Sequence, residues 1–248
     1  MKHAFKMKSL VLSMAIAGSS VAALAPATTQ AGVSGNIGMV SQYIFRGIAQ
    51  SGGAAAAQAG VDYEHDSGVY AGLWTSEVGP GMGLEYDVYA GYGTELSGVT
   101  LGAGFTIYNY TKDLSKDSSA FDTGYQEVNL SVGYGPFTLG YDIGTHAKSD
   151  LAGKDEDYTV LTLTAEYGGA YATYGSADGF AAEQVAGKSV GHSWFELGYA
   201  TEISEGFELS ASLINASKEV SGYNNAGTGK DEDNFFMVFG ITKSFDLM

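Results

Sequence analysis

A single arginine, Arg46, stands in a chain of 248 residues that carries 28 aspartates and glutamates. A guanidinium offers a rigid fork of donors that matches a carboxylate or phosphate bidentately. Its isolation therefore points to one of two roles: an ion pair that staples the fold, with Glu77 or the acidic run from Asp231 to Asp233 as partner, or an anion contact in a constriction. The carboxylates carry a pattern of their own. Asp62, Glu64, Glu85, Asp87, Glu127, Asp142, Glu166, Glu196 and Glu208 all lie on the polar parity of alternating segments, and Arg46 shares its parity with Asn36 and Gln42. Nine carboxylates around one fixed cation would give a water-filled interior a potential that favours cations over anions.

Other chemistry finds little support in the residues. His192 and Ser193 are adjacent and so point to opposite faces of any strand, while Ser149 follows His146 inside a loop, which leaves no nucleophile and base together. No catalytic residue is expected. His65, His146 and His192 are too scattered for metal-ligand spacing, and the chain has no cysteine to supply a thiolate. "GKDED" occurs at 153–157 and again at 229–233, but neither copy has the calcium-loop pattern D-x-D-x-D-G, so both read as solvated loops. Glycine strings such as "GYGPFTLG" lack the strand-to-helix setting of a phosphate loop. Neither a metal nor a cofactor is implied.

The elements that position these side chains are read from period two. Twelve segments repeat apolar residues at every second position, over 33–46, 57–65, 69–76, 84–93, 99–110, 125–134, 137–146, 158–167, 170–175, 192–201, 207–217 and 234–246. In "QEVNLSVGY", Val128, Leu130, Val132 and Tyr134 share one face, and Glu127, Asn129 and Ser131 the other. Even-numbered segments are followed by tight turns such as "DSG", "GP" and "GG", whereas odd-numbered ones are followed by longer polar or glycine-rich excursions such as "TKDLSKDSSAFDTG". That rhythm fits an up-and-down membrane barrel with short turns at one end and long loops at the other. A Greek-key sandwich has no reason to keep it.

Each even-numbered segment also ends with an aromatic residue on its apolar face: Tyr63, Tyr92, Tyr134, Tyr167, Tyr199 and Phe245. All would lie at one rim, as a girdle at headgroup level. Pro80 and Pro136 fall in connections, and the amphipathic last segment, "NFFMVFGITKSFDLM", is suited to closing the barrel and to recognition by barrel-assembly machinery.

Residues 1–31 read as a cleaved export signal, with Lys2, Lys6 and Lys8 before an apolar stretch and the small-residue site "TTQA". Without those three lysines the remainder carries 9 basic and 28 acidic residues, 9 − 28 = −19, which disfavours nucleic acid as a partner. No apolar run after the signal is long enough for a membrane helix.

The stretch "SGNIGMVSQYIFRGIAQSGGAAAAQAGVDYEHDSGVYAGLWTSEV" resembles the N-terminal signature of the TorF family of proteobacterial porins. The likeness rests on "SQYIFRG" with Arg46 and Gly47, on Gln58 to His65 and on Ser67 to Trp74; an alanine-rich first loop and Glu77 depart from it. The resemblance implies an outer-membrane β-barrel of a Gram-negative bacterium. Together the sequence predicts an all-β, transmembrane, up-and-down antiparallel barrel of about 12 strands over 32–248. Such a barrel, with outer-membrane lipid around it, would pass small hydrophilic solutes with a preference for cations. The alternative is a plugged barrel serving as a structural or adhesive surface protein.

Overall fold

A computed structural model describes residues 31–79, 83–111, 124–146, 156–182, 189–224 and 234–248. Twelve strands close into one antiparallel barrel: β1 (Gly32–Val40), β4 (Ala56–Glu64), β5 (Val69–Glu77), β6 (Leu84–Leu96), β7 (Val99–Tyr110), β8 (Gly124–Tyr134), β9 (Phe137–His146), β10 (Glu156–Tyr167), β11 (Ala170–Ala182), β12 (Ser189–Ser204), β13 (Phe207–Ala216) and β14 (Phe235–Asp246). Every strand pairs with its neighbours in sequence. The ring closes through β1 and β14, in register from Ser34 opposite Asp246 to Val40 opposite Gly240. A separate hairpin, β2 (Ile44–Phe45) and β3 (Ile48–Ala49), interrupts the connection from β1 to β4.

Alternation along each strand explains why the sheet closes this way. On β8, Val128, Leu130 and Val132 are exposed on the outside, whereas Glu127 and Asn129 are buried within. The same division holds for Leu161 and Leu163 against Thr162 and Thr164 on β10, and for Met237, Phe239 and Ile241 against Val238 and Thr242 on β14. Apolar side chains therefore face outward all round, the inverse of a water-soluble protein and the arrangement of a barrel solvated by lipid. The six rim aromatics named above, from Tyr63 to Phe245, are exposed on this outer face at the turn end. Lys243 also lies there, its Nζ donating to the carbonyl of Glu205 at 2.6 Å and lying over the Phe207 ring. Its long stem thus carries the charge back to the turn.

Two elements differ most from the expected spans, the others by three residues or fewer at either end. The first segment does not run to residue 46, because β1 ends at Val40 and residues 43–48 of the following connection fold into the barrel. Expected toward lipid, Tyr43 and Phe45 are instead buried inside it. The ninth segment, expected at 170–175, extends as β11 to Ala182, with a bulge between Ala177 and Ala181. There Gly179 has φ 77°, the ladder advances from Ala177 to Ala181 on β11 against only His192 to Val190 on β12, and the next buried side chain after Ala177 is Phe180. The shift of parity is what hid the second half of the strand.

Candidate functional site in the lumen

Polar and aromatic side chains fill the lumen in two zones. Toward the turn end, Asp62, Glu64, Glu166 and Glu208 are half-buried. Toward the loop end, Glu85, Asp87, Glu127, Asp142 and, deeper, Glu196 are buried, so these five do not line an open aqueous passage as the sequence reading expected. The space is taken by hairpin β2–β3 and by a cluster containing Tyr108, Tyr125, Tyr158, Phe180 and Trp194. Inward parity alone could not report this filling.

The hairpin turns at Arg46 and Gly47, with φ of 51° and 78°, and pairs Phe45 with Ile48. Positive φ at both central positions is the two-residue turn whose twist matches a hairpin, and glycine fits its second position without strain. A Cβ at Gly47 would also press within 2.8 Å of Ala216 Cβ and 2.9 Å of Trp194 Cβ. Placed at this tip, Arg46 crosses the barrel. Its Nη1 donates to Glu127 Oε2 at 2.7 Å, and Nη2 donates to Glu127 Oε1 and to Asp142 Oδ2, each at 2.9 Å. Glu127 and Asp142 lie on β8 and β9, on the wall opposite β1 in the strand order.

Arg46 is therefore a staple, with Glu127 and Asp142 as its described partners in place of Glu77; the other expected partners, residues 231–233, lie outside the described residues. Glu77 instead accepts from the backbone N–H of Ala57 at 3.0 Å. The expectation failed because it extended β1 as a straight strand to its outer end. Gln42, expected on the lumen wall, donates to the carbonyl of Met237 on β14 at 3.0 Å, where β1 has already ended.

The carboxylates on Arg46 are held in turn. Asn129 Nδ2 donates to Glu127 Oε1 at 2.6 Å and to Asp142 Oδ1 at 3.0 Å, and the Tyr158 hydroxyl donates to Glu127 Oε2 at 2.8 Å. Thr106 Oγ1 donates to Asn129 Oδ1 at 2.8 Å and fixes the amide. The guanidinium carbon lies 4.8 Å from the Phe45 ring centre and 4.9 Å from that of Phe180, so two aromatic faces cover the charge. The bulge in β11 is what aims Phe180 there. Polar contacts anchor the hairpin elsewhere too: the Arg46 carbonyl lies 2.8 Å from His192 Nε2, and Asn224 donates to the Gly47 carbonyl and accepts from the Ala49 N–H.

Tyrosine hydroxyls recur on three further acids, with Tyr89 on Asp62, Tyr171 on Glu196 and Tyr110 on Glu85. Space for the rings comes from inward glycines on neighbouring strands. A Cβ at Gly144 would overlap the Tyr158 ring, one at Gly198 the Tyr171 ring and one at Gly175 the Trp194 indole. Replacing Gly144 with valine should expel Tyr158 and break its bond to Glu127, destabilising the barrel by about 1–3 kcal/mol. Denaturant unfolding in detergent reads this cost, and a change within error would show that the ring is not confined by Gly144.

His65 and His146 bond to Ser67 and to the Phe180 carbonyl, and His192 is buried facing inward. The "GKDED" runs fall largely outside the described residues. Neither the tyrosines of the plug nor the bulge was singled out from the sequence; the available signal was the two-residue "RG" between apolar neighbours, a hairpin turn read as strand.

A closed twelve-stranded barrel, apolar outside and polar within, is the architecture of an outer-membrane β-barrel. The chain belongs to the bacterial family Gcw_chp, described as a bacterial protein of unknown function, whose model matches residues 24–245. No curated protein matches it. Among solved structures, the KdgM porin superposes with a TM-score of 0.51 at 6% identity, covering 86% of this chain and 99% of that one. OccAB4 of Acinetobacter baumannii matches with a TM-score of 0.39 and 14% identity over 87% of this chain and 62% of its own. These likenesses concern the fold.

Proposed function

We propose that the protein is a porin-like outer-membrane channel for small hydrophilic solutes, with hairpin β2–β3 as its gate. The observation that carries this reading is that an inward-folded hairpin, held by the Arg46 ion pairs and by packing of Tyr43, Ile44, Phe45 and Ile48, occupies a lumen whose opposite end keeps four half-buried carboxylates. Twelve strands lie between the filled eight-stranded barrel and the open sixteen-stranded porin, so removal of one hairpin is a large change in bore. The N-terminal motif that resembles the TorF porins supports the same reading, and its arginine is the residue at the tip of the gate.

In this reading residues 1–31 direct export, the exposed rim aromatics anchor the turn end at the inner face of the outer membrane, and β14 carries the assembly signal. Cation preference would arise at Asp62, Glu64, Glu166 and Glu208, which precede the gate. Catalysis plays no part. The burial of Arg46, at 2% exposure, favours a second reading, a permanently plugged barrel that serves through its outer loops.

Conductance of the refolded protein in a planar bilayer under a salt gradient separates them. Intermittent openings with a cation-selective reversal potential are the expected outcome. Silence from protein shown to be inserted would sink the channel and leave the plugged barrel; anion selectivity would sink the role of the four carboxylates.

A further inference from the structure

Beside the Arg46 cluster the lumen holds a second pair of acids, Glu85 and Asp87, two residues apart on the inward face of β6. Both are at least nine-tenths buried, at 1% and 7% exposure. Tyr110 donates to Glu85 Oε1 at 3.3 Å, and Tyr43 of the gating hairpin stands against the same carboxylate. Glu85 Oε2 and Asp87 Oδ1, however, have no hydrogen-bond partner among the described residues. Across the sheet their backbone neighbours are Ser76 and Trp74 on β5 and Tyr110 and Tyr108 on β7. None of these four residues carries a positive charge.

The charge balance makes the pair conspicuous. Among the described residues the buried set contains one fixed cation, Arg46, and five carboxylates, Glu85, Asp87, Glu127, Asp142 and Glu196. Arg46 is committed to Glu127 and Asp142. Isolated buried carboxylates are costly and demand either protons or a compensating cation. Here the open oxygens come from two acids on one strand, hard carboxylate donors of the kind that calcium and its analogues take. Water would complete the shell.

We infer that Glu85 and Asp87 form an intralumenal site for one divalent hard cation, beneath the gating hairpin and distinct from the Arg46 staple. The site does not depend on whether the barrel conducts. An ion there neutralises the pair while Tyr43 lies over it, so binding favours the closed hairpin.

Terbium tests this directly, because it replaces calcium and emits when tyrosines within a few ångströms are excited. With the full chain refolded in detergent, tyrosine-sensitised emission should rise to saturation at one site per chain and be displaced by calcium. It should be lost in E85Q/D87N, whose folding is checked by heat-modifiable migration on gels. The amides keep the shape of the acids and remove two buried like charges, and single Glu85→Gln provides a second variant with reduced emission. In parallel, calcium should raise the thermal unfolding midpoint of the wild type relative to an equal ionic strength of N-methylglucammonium, and leave that of E85Q/D87N unmoved. Emission that survives in the double variant would place the ion on the outer-loop acids and overturn the inference. So would a wild type that gives no emission and whose midpoint responds to pH but not to calcium, since the pair would then hold a proton.

Discussion

Replacing Arg46 with alanine is expected to destabilise the folded barrel by about 3–5 kcal/mol, the cost of breaking a buried pair and leaving its partners unpaired. The magnitude follows from what remains. Glu127 keeps Asn129, Tyr108 and Tyr158, and Asp142 keeps Asn129, but both lose their cation inside a space closed by aromatic rings. The chain has two responses: keep the hairpin docked over two uncompensated charges, or release it and hydrate them. It takes the less costly, so loss of stability and opening of the lumen should appear together. A change of about 3–5 kcal/mol shifts the ratio of docked to released hairpin by about two to four powers of ten. Equilibrium unfolding in detergent measures the first effect, and swelling of proteoliposomes in small sugars the second.

Adding Glu127→Gln and Asp142→Asn to Arg46→Ala should restore most of the stability, because neutral amides need no cation. Arg46→Lys should fall between, since an ammonium cannot present parallel donors to Glu127 and still reach Asp142 in the same fork geometry. An alanine variant as stable and as impermeable as the wild type would show that the ion pair does not hold the hairpin.

Excising residues 43–50 and joining the ends with a short glycine-serine link should give a channel that stays open. The join is geometrically simple, because Tyr43 N–H donates to Ser51 Oγ at 2.9 Å and Gln50 N–H to the Tyr43 carbonyl at 2.8 Å, so the hairpin leaves the wall where it enters. The excision removes Tyr43, Ile44, Phe45, Arg46 and Ile48 from the lumen, all of them buried. None belongs to a barrel strand, so the ladder from β1 to β4 survives. Glu127 and Asp142 then meet water and need no cation, so the excision forfeits the docking of the hairpin without leaving buried charges unpaired. Single-channel recordings should pass from intermittent to persistent conductance, with stronger cation selectivity as the buried acids become accessible. Persistent silence in the inserted variant would mean that the aromatic wall itself closes the barrel, and the gate would have to be abandoned.

The difference between what was legible and what was not follows from how side chains report on structure. The twelve segments were legible because a strand with lipid on one side and a polar interior on the other must alternate strictly, and every second residue repeats the information. The nine acids share the polar parity of those segments, and five of them, Glu85, Asp87, Glu127, Asp142 and Glu196, are buried inside the barrel. Where a bulge breaks the period, as around Gly179, the expected segment is too short and omits Phe180. Where two residues reverse the chain, as at Arg46 and Gly47, it ran on and put Tyr43 and Phe45 on the wrong side of the wall.

The sequence by itself determined the barrel: its strand count, the alternation of turns and loops, the outward apolar face and the inward acids, all of them local properties of period and turn chemistry. Only the tertiary structure decided what the lumen contains. Arg46 meets Glu127 across 81 residues and Asp142 across 96, because closure of twelve strands sets the distance across the barrel and an inward hairpin spans it. Alternation says which face a side chain takes, but it carries no information about what that side chain will meet on the opposite wall.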